Sequence, residues 1–103
     1  MSKLSARSED YLKAILKLQE QKKVVRVKDL AQWLGVRSPT VVGVVSGLKE
    51  GGLVDQEHYG YIFLTPKGKA AARTLVQNEE LLRTFFEEVL NLDSEEAVQN
   101  ACN

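Results

Sequence analysis

Five basic side chains in this 103-residue chain have the spacing to contact a polyanion. Four of them lie in or beside the stretch from Val27 to Gly52, namely Arg26, Lys28, Arg37 and Lys49, and the fifth is Arg7, near the start of the chain. The chemistry that suits them is non-covalent, because charge-assisted hydrogen bonds to phosphate oxygens position a protein on a nucleic acid. For Arg26 and Lys28, a solvated basic loop is an equally good interpretation.

A second group of side chains could contact the edges of DNA bases. It forms one face of a helical pattern and comprises Ser38, Pro39, Thr40, Val42 and Ser46. Pro39, Thr40 and Val42 suit apolar contact with thymine methyl groups, and Ser46 suits either a base or a phosphate. Gly43 and Gly47 remove side chains from this face, so we expect sparse hydrogen bonding and mainly shape readout. Alternatively, the two glycines allow the backbone of another protein to approach closely.

These side chains are carried by a predicted helix-turn-helix. Apolar residues recur with helical spacing in two short segments, first at Leu30, Ala31 and Leu34, then at Val41, Val44, Val45 and Leu48. Gly35 can adopt the left-handed conformation that ends a helix, and Ser38 followed by Pro39 offers an N-cap and a first-turn proline. Such units usually place the second helix in the major groove of DNA, although an ordinary helical hairpin is the alternative.

Residues 53–64 predict a β-hairpin. Two β-rich runs, Leu53–Gln56 and Tyr61–Leu64, flank a turn at residues 58–60. A hairpin directly after a helix-turn-helix describes a winged helix, whose wing usually lies along the DNA backbone or minor groove. His58 is near the tip and is a candidate phosphate contact, with a plain exposed turn residue as the alternative and a metal role less favoured.

Two further helical regions complete the prediction. Ser5 to Gln21 reads as an amphipathic first helix. Thr65 and Pro66 open a helix of about 38 Å that is expected to reach Asn91, and Asp93 is expected to open a short last helix. The long helix has more large apolar side chains than a small domain can cover, namely Leu81, Leu82, Phe85, Phe86 and Val89. We expect this face to form a homodimer interface.

The charges divide the chain into two parts. Residues 1–73 hold 13 Lys and Arg against 7 Asp and Glu, a net charge of +6, whereas residues 74–103 hold 1 against 7, a net charge of −6. A basic first part suits phosphate contact. An acidic second part suits a partner surface, a cation site or solvated helix faces. We therefore predict a mainly α fold with a small β-hairpin, in which residues 1–73 form a winged helix-turn-helix DNA-binding domain and residues 74–103 form a second part.

Several classes of protein are disfavoured. No apolar run is long enough for a membrane span or a signal peptide, and one cysteine cannot form an internal disulfide, so we expect a cytoplasmic protein. The sequence has no Ser-His-acid grouping, phosphate-cradling loop or Cys-x-x-Cys pair. We therefore expect no enzyme activity and no small-molecule substrate.

The whole pattern resembles one known family. The segments LSARSEDYLKAILKLQE, VVRVKDLAQWLGVRSPTVVGVVSGLKEGGLV, FLTPKGKAAA and ELLRTFFEEVLNLDSEEAVQNAC are similar, in order and spacing, to the diphtheria-toxin-repressor family of iron- and manganese-dependent transcriptional repressors. The resemblance implies a homodimer that binds a palindromic operator through its winged helices. It also implies that residues 74–103 form part of a dimerisation and metal-binding domain, with a divalent metal, Fe²⁺ or Mn²⁺, at the junction of the two domains.

Carried over residue by residue, the resemblance gives an incomplete metal site. Asp10 and Cys102 match ligand positions, and Glu79 stands where members usually carry a histidine. A carboxylate and a thiolate together do not select one metal. Lys13 replaces a glutamate ligand, and the chain ends before a Glu-His pair that the family provides after Cys102. Either a longer protein completes the site or the site is incomplete; Asp10 could also be a first-turn helix residue and Cys102 a small core residue.

Two functions follow. The first is a metal-dependent, homodimeric DNA-binding regulator, a repressor of metal-uptake genes. The second is a winged-helix protein-interaction module that no longer reads bases.

Overall fold

The computed structural model describes residues 5–22, 24–57 and 60–102, with their side chains as far as residue 90. Four helices and one hairpin follow in the order α1 (Ala6–Gln21), α2 (Val27–Leu34), α3 (Ser38–Glu50), β1 (Val54–Gln56), β2 (Ile62–Leu64) and α4 (Pro66–Cys102). The predicted fold class, mainly helical with a small hairpin, is confirmed. Within the described residues, no helix is long and apolar enough to cross a membrane.

Helix α1 is the centre of the core. Its first turn is capped by Ser5, whose side chain accepts a hydrogen bond from the backbone N–H of Ser8 at 3.1 Å. Leu12 and Ile15 are fully buried, and they belong to one apolar cluster that draws on every other element of the fold. Burial of such side chains is the main driving force that holds α2, α3, the hairpin and the start of α4 on α1.

Helices α2 and α3 form the predicted helix-turn-helix. Gly35 ends α2 in the left-handed conformation, with φ of 68°. The predicted N-cap of α3 was wrong by one residue: Arg37 is the N-cap, and Ser38 is already helical with Pro39 in the first turn. Pro39 has no N–H to lose at that position, so the helix can start before it. The inward face is confirmed, since Val41, Val45 and Leu48 are buried.

The wing is a two-stranded antiparallel hairpin. Val54 pairs with Leu64 and Gln56 with Ile62, and each strand begins one residue later than the sequence predicted. Val25, which precedes α2, forms an additional antiparallel bridge with Ile62. The hairpin is thereby attached to the start of the helix-turn-helix.

Helix α4 begins on the hairpin and then leaves the core. The Thr65 side chain caps it by accepting a hydrogen bond from the Gly68 backbone at 3.1 Å, and Ala72 is fully buried. The expected end at Asn91 and the separate helix from Asp93 were wrong, because α4 is continuous to Cys102. No proline or glycine follows Gly68 within α4. The residues that do follow cost less than about 0.7 kcal/mol each in a helix, so nothing forces a break.

Candidate DNA-binding surface and metal junction

The outer face of α3 is exposed along its whole length. It carries all of the side chains proposed to meet bases, and they are Ser38, Pro39, Thr40, Val42 and Ser46. Val42 is 55% exposed, so its methyl groups are accessible to a bound molecule. An added Cβ at Gly43 or at Gly47 would meet no atom within 4 Å, so the fold itself does not require glycine at either position.

The exposed face of α3 is bordered by two surface grooves. The first lies between α3 and the wing, measures about 200 Å³ and is lined by Val27, Val42, Val45, Ser46, Lys49 and Gln56. The second measures about 320 Å³ and is lined by Arg7, Asp10, Tyr11, Leu34, Val36 and Thr40. The structure therefore brings Ser46 and Lys49 to one side of the face, and Arg7 and Thr40 to the other. Lys28 and Arg37 are exposed at the ends of α2 and the turn.

Arg26 is held by the wing. Its guanidinium donates a hydrogen bond to the Tyr61 hydroxyl at 3.0 Å, and its central carbon lies 5.1 Å from the centre of the Tyr61 ring. This cation–π contact links the segment before α2 to the hairpin. Sequence reasoning missed Tyr61 as a partner of Arg26, since 35 residues separate the two and no local pattern joins them.

Asp29 fixes the start of α2. Its carboxylate accepts hydrogen bonds from the Arg26 backbone N–H at 2.9 Å and from the Lys22 ammonium at 3.0 Å. Burial of Asp29 tends to raise its pKa, but these two donors outweigh burial, and the pKa of Asp29 lies below its usual value. Asp29 is therefore ionised at neutral pH, where it stabilises the first turn of the helix-turn-helix.

Two of the predicted sites fall outside the described parts of the molecule. His58, at the wing tip, lies outside the described residues, and the side chain of Cys102 lies beyond the last described side chain. Their proposed roles as a phosphate contact and a metal ligand stay predictions.

The junction between α1 and α4 holds the other two candidate metal ligands, Asp10 and Glu79. A lysine lies between them: the Lys13 ammonium is 2.7 Å from Oε2 of Glu79 and 3.6 Å from Oδ1 of Asp10. Lys17 approaches the other oxygen of Glu79, Oε1, at 3.8 Å. The structure therefore brings Asp10 and Glu79 to one place but joins them through an ammonium group.

The charges at this junction reinforce one another. The hydrogen bond from Lys13 holds the pKa of Glu79 below its usual value, and the same bond raises the pKa of Lys13. Both groups are therefore ionised at neutral pH. The sequence offered no direct sign of this pair, because Lys13 and Glu79 are 66 residues apart and meet only when α4 packs on α1.

The described residues do not fit a divalent metal at this junction. Within the part of the chain that the structure describes, no three His, Cys, Asp or Glu side chains are grouped as a metal would require. A divalent cation is bound by several anionic or neutral ligand atoms, each of which donates an electron pair. An ammonium group has no free electron pair and can only donate hydrogen bonds.

Beyond residue 80, α4 carries a large exposed apolar face. Leu81 is 68% exposed, Leu82 and Phe85 are both 58% exposed, Phe86 is 55% exposed and Val89 is 39% exposed. Leu90, which sequence reasoning did not include, is also 58% exposed. Contiguous exposed apolar surface of this kind is typical of a protein interface.

Two known protein families match successive parts of the chain. Residues 3–62 match the family described as "Iron dependent repressor, N-terminal DNA binding domain". Residues 65–103 match the family described as "Iron dependent repressor, metal binding and dimerisation domain". The chain belongs to the iron-dependent repressor family. This is a family of DNA-binding transcriptional regulators and not of enzymes, so the resemblance to the diphtheria-toxin repressors is confirmed.

Two relatives show how much of the family's length is present. The chain is 37% identical over 87 residues to the HTH-type transcriptional regulator MntR of Bacillus pumilus, covering 84% of this chain and 60% of that protein. It is 31% identical over 100 residues to an uncharacterised HTH-type transcriptional regulator of Methanocaldococcus jannaschii, covering 96% of this chain and 80% of that protein. The chain therefore spans about three fifths of the length of the Bacillus pumilus MntR.

Solved structures support the same fold. The IdeR of T. acidophilum superimposes with a TM-score of 0.61 at 26% identity, over 70% of this chain and 33% of that one. The Lactococcus lactis ZitR superimposes with a TM-score of 0.74 at 19% identity, over 87% of this chain and 61% of that one. At that identity, ZitR shows the winged-helix fold alone.

Proposed function

We propose that this iron-dependent repressor homologue is a transcriptional regulator that binds double-stranded DNA in the cytoplasm as a homodimer. The observation that carries the proposal is the exposed face of α3, which has hydroxyl and small apolar side chains at its centre and basic side chains at its edges. Neutral small residues can reach base edges, while the lysines and arginines contact the flanking phosphates.

The two parts of the chain have different roles in this proposal. Residues 1–73 supply the DNA-binding surface, and residues 74–103 contribute to the dimer through α4, which runs through both parts without interruption. In a dimer of this kind, the two recognition helices enter successive major grooves about 34 Å apart, and the operator is nearly palindromic.

The family description, together with the resemblance to iron- and manganese-dependent repressors, leads us to expect that Fe²⁺ or Mn²⁺ controls DNA binding. Repression of metal-uptake genes is accordingly our proposal for the biological role. The described residues of the α1–α4 junction do not fit a divalent metal, and the proposed DNA contacts use only side chains of the protein.

The proposal is tested by selecting bound sequences from a pool of random 30-base-pair duplexes, then titrating the chain against a selected duplex and a scrambled one. We expect a near-palindrome with half-sites about one helical turn apart. With about six phosphate contacts or more, affinity should fall about 1000-fold between 50 and 200 mM salt. Arg37→Gln should weaken binding to both duplexes, because a phosphate contact does not read sequence.

A second candidate function is supported by one observation. The α3 face lacks long hydrogen-bonding side chains at its centre, where Gly43 and Gly47 lie. A protein partner could pack closely on such a face, which would make the domain a protein-interaction module. Absence of any enriched duplex, with no binding to the pool even at about 50 mM salt, would favour this second function.

A further inference from the structure

We infer that the Lys13 ammonium acts as a built-in cation at the α1–α4 junction, so that this junction closes without a divalent metal. The inference rests on placement: the ammonium lies between a carboxylate of α1 and a carboxylate of α4, Asp10 and Glu79. These are the two described residues that the family resemblance assigned to metal binding.

The carboxylate of Glu79 is contacted on both of its oxygens. Lys13 contacts Oε2 of Glu79 at 2.7 Å, and Lys17 contacts its Oε1 at 3.8 Å, so both oxygens of Glu79 face an ammonium group. Lys13 is the more enclosed of the two lysines, with its side chain 25% exposed against 43% for Lys17. A hydrogen bond of 2.7 Å to a charged acceptor is in the range of a strong, charge-assisted contact.

The charge balance points the same way. The two lysines offset the two carboxylates, so the cluster of Asp10, Lys13, Lys17 and Glu79 has no net negative charge to attract a divalent ion. An ion bound to both carboxylates would also lie close to the Lys13 ammonium, and like charges a few ångströms apart repel each other. Metal binding there would require Lys13 to be displaced.

A permanent cation at this junction affects how DNA binding could be regulated. A tethered ammonium is always present, so the relative orientation of α1 and α4 does not change with the metal concentration at this junction. That consequence for DNA binding rests on the proposed function, but the identity of the cation at the junction does not. The two can therefore be tested separately.

The first experiment uses Mn²⁺ alone and no DNA. Mn²⁺ is titrated into the wild-type chain, Asp10→Asn, Lys13→Glu and Lys69→Glu, with bound metal measured by loss of the free-ion electron paramagnetic resonance signal. Lys69 is exposed on α4, so Lys69→Glu is a control for the same change of charge away from the junction. Thermal unfolding of each variant with and without Mn²⁺ verifies folding and gives a second reading of binding.

We expect Asp10→Asn to leave the Mn²⁺ affinity of the wild-type chain unchanged, because Asp10 is already paired. Lys13→Glu exchanges the ammonium for a third carboxylate and should bind Mn²⁺ at least tenfold more tightly than Lys69→Glu, with a rise in its unfolding temperature. A tenfold loss of wild-type Mn²⁺ affinity in Asp10→Asn would overturn the inference. So would equal affinities of Lys13→Glu and Lys69→Glu in folded protein.

The second experiment adds the selected duplex. The wild-type chain should bind it equally well with Mn²⁺ and with a chelator, whereas Lys13→Glu should bind it better with Mn²⁺. Wild-type binding that requires Mn²⁺ and is abolished by Asp10→Asn would overturn the inference while supporting the proposed function. Failure of all variants to bind DNA would count against the proposed function and leave the Mn²⁺ result of the first experiment decisive.

Discussion

Gly43 and Gly47 leave the exposed face of α3 bare at two positions where the fold has room for a side chain. Glycine in a helix interior is less stable than alanine by about 0.5 to 1 kcal/mol, because it loses more backbone entropy on folding. The monomer therefore gives up stability at both positions without an internal steric reason. Close approach of a bound molecule to α3 is the reason that fits the proposed DNA contact.

Gly43→Ala and Gly47→Ala should each raise the free energy of unfolding by about 0.5 to 1 kcal/mol and weaken binding to the selected duplex. Urea unfolding and fluorescence anisotropy measure the two effects. Gly68→Ala is the contrasting control, because its Cβ would overlap the carbonyl oxygen of Leu53, and we expect a loss of about 2 kcal/mol. More stable α3 variants with unchanged DNA affinity would show that the glycine face does not meet DNA.

Asp29 makes the start of the helix-turn-helix sensitive to acid. A carboxyl group whose pKa is lower in the folded chain stabilises the fold above its unfolded pKa of about 3.9, and this stabilisation is lost as pH falls through the folded pKa. Asp29→Asn should therefore be less stable than the wild type by about 1 kcal/mol at pH 6, a value typical for a helix cap. The difference should shrink below about pH 4.

Urea unfolding between pH 6 and pH 3 measures this difference. Asp55→Asn, at an exposed position of β1, is the matched control for loss of one carboxylate. A constant difference between wild type and Asp29→Asn across that range would contradict the assignment of the acid sensitivity to Asp29.

At the scale of elements, the wing is positioned by two attachments to the segment before α2. One is the bridge between Val25 and Ile62, where the Ile62 N–H donates to the Val25 carbonyl at 2.8 Å. The other is the contact of Arg26 with Tyr61. Because Arg26 is also a proposed phosphate contact, Tyr61 is expected to hold its guanidinium at the DNA-facing edge of the wing.

Tyr61→Ala should lower affinity for the selected duplex about 3- to 10-fold, since about 1 kcal/mol of cation–π and hydrogen-bond energy no longer orders Arg26. Tyr61→Phe keeps the ring and should change affinity by less than about twofold. Anisotropy titrations measure both, and circular dichroism verifies that the variants are folded. Equal affinities of Tyr61→Ala and the wild type would mean that Arg26 does not act through this contact.

At the scale of the whole molecule, α4 extends beyond the domain that it completes. Its first half packs on the core through Ala72 and partly buried neighbours, whereas each large apolar side chain from Leu81 to Leu90 is at least 39% exposed. At 1.5 Å per residue, α4 is about 56 Å long. We propose that the same face of a second copy covers this apolar face, and the match of residues 65–103 to a metal binding and dimerisation domain supports the proposal.

The chain should sediment as a dimer of about twice 11.5 kDa at tens of micromolar. Phe85→Glu should shift it to the monomer, because a charge buried in an apolar interface is costly. Thr84→Glu, an exposed position on the other side of α4 by helical spacing, should leave the dimer intact. A monomeric wild-type chain, or equal dissociation by both substitutions, would contradict an interface on this face.

Much of this architecture is determined locally and could be read from the sequence. Helical spacing of apolar residues located α1, α2 and α3, and Gly35, Thr65 and Pro66 marked a helix end and a helix start. The exposed apolar face of α4 followed from a count of large side chains that no small core can bury. These features depend on residues that are close together in the chain, where periodicity and capping chemistry are decisive.

Only the tertiary structure decided how distant residues combine. Lys13 and Glu79, and likewise Arg26 and Tyr61, meet because α4 and the wing fold back onto earlier segments. The sequence placed Asp10 and Glu79 near one another by family resemblance but could not show that an ammonium group lies between them. Side-chain pairing across the fold depends on how whole helices pack together. No local pattern of residues encodes the distance between two such side chains or the charge balance of the cluster that they form.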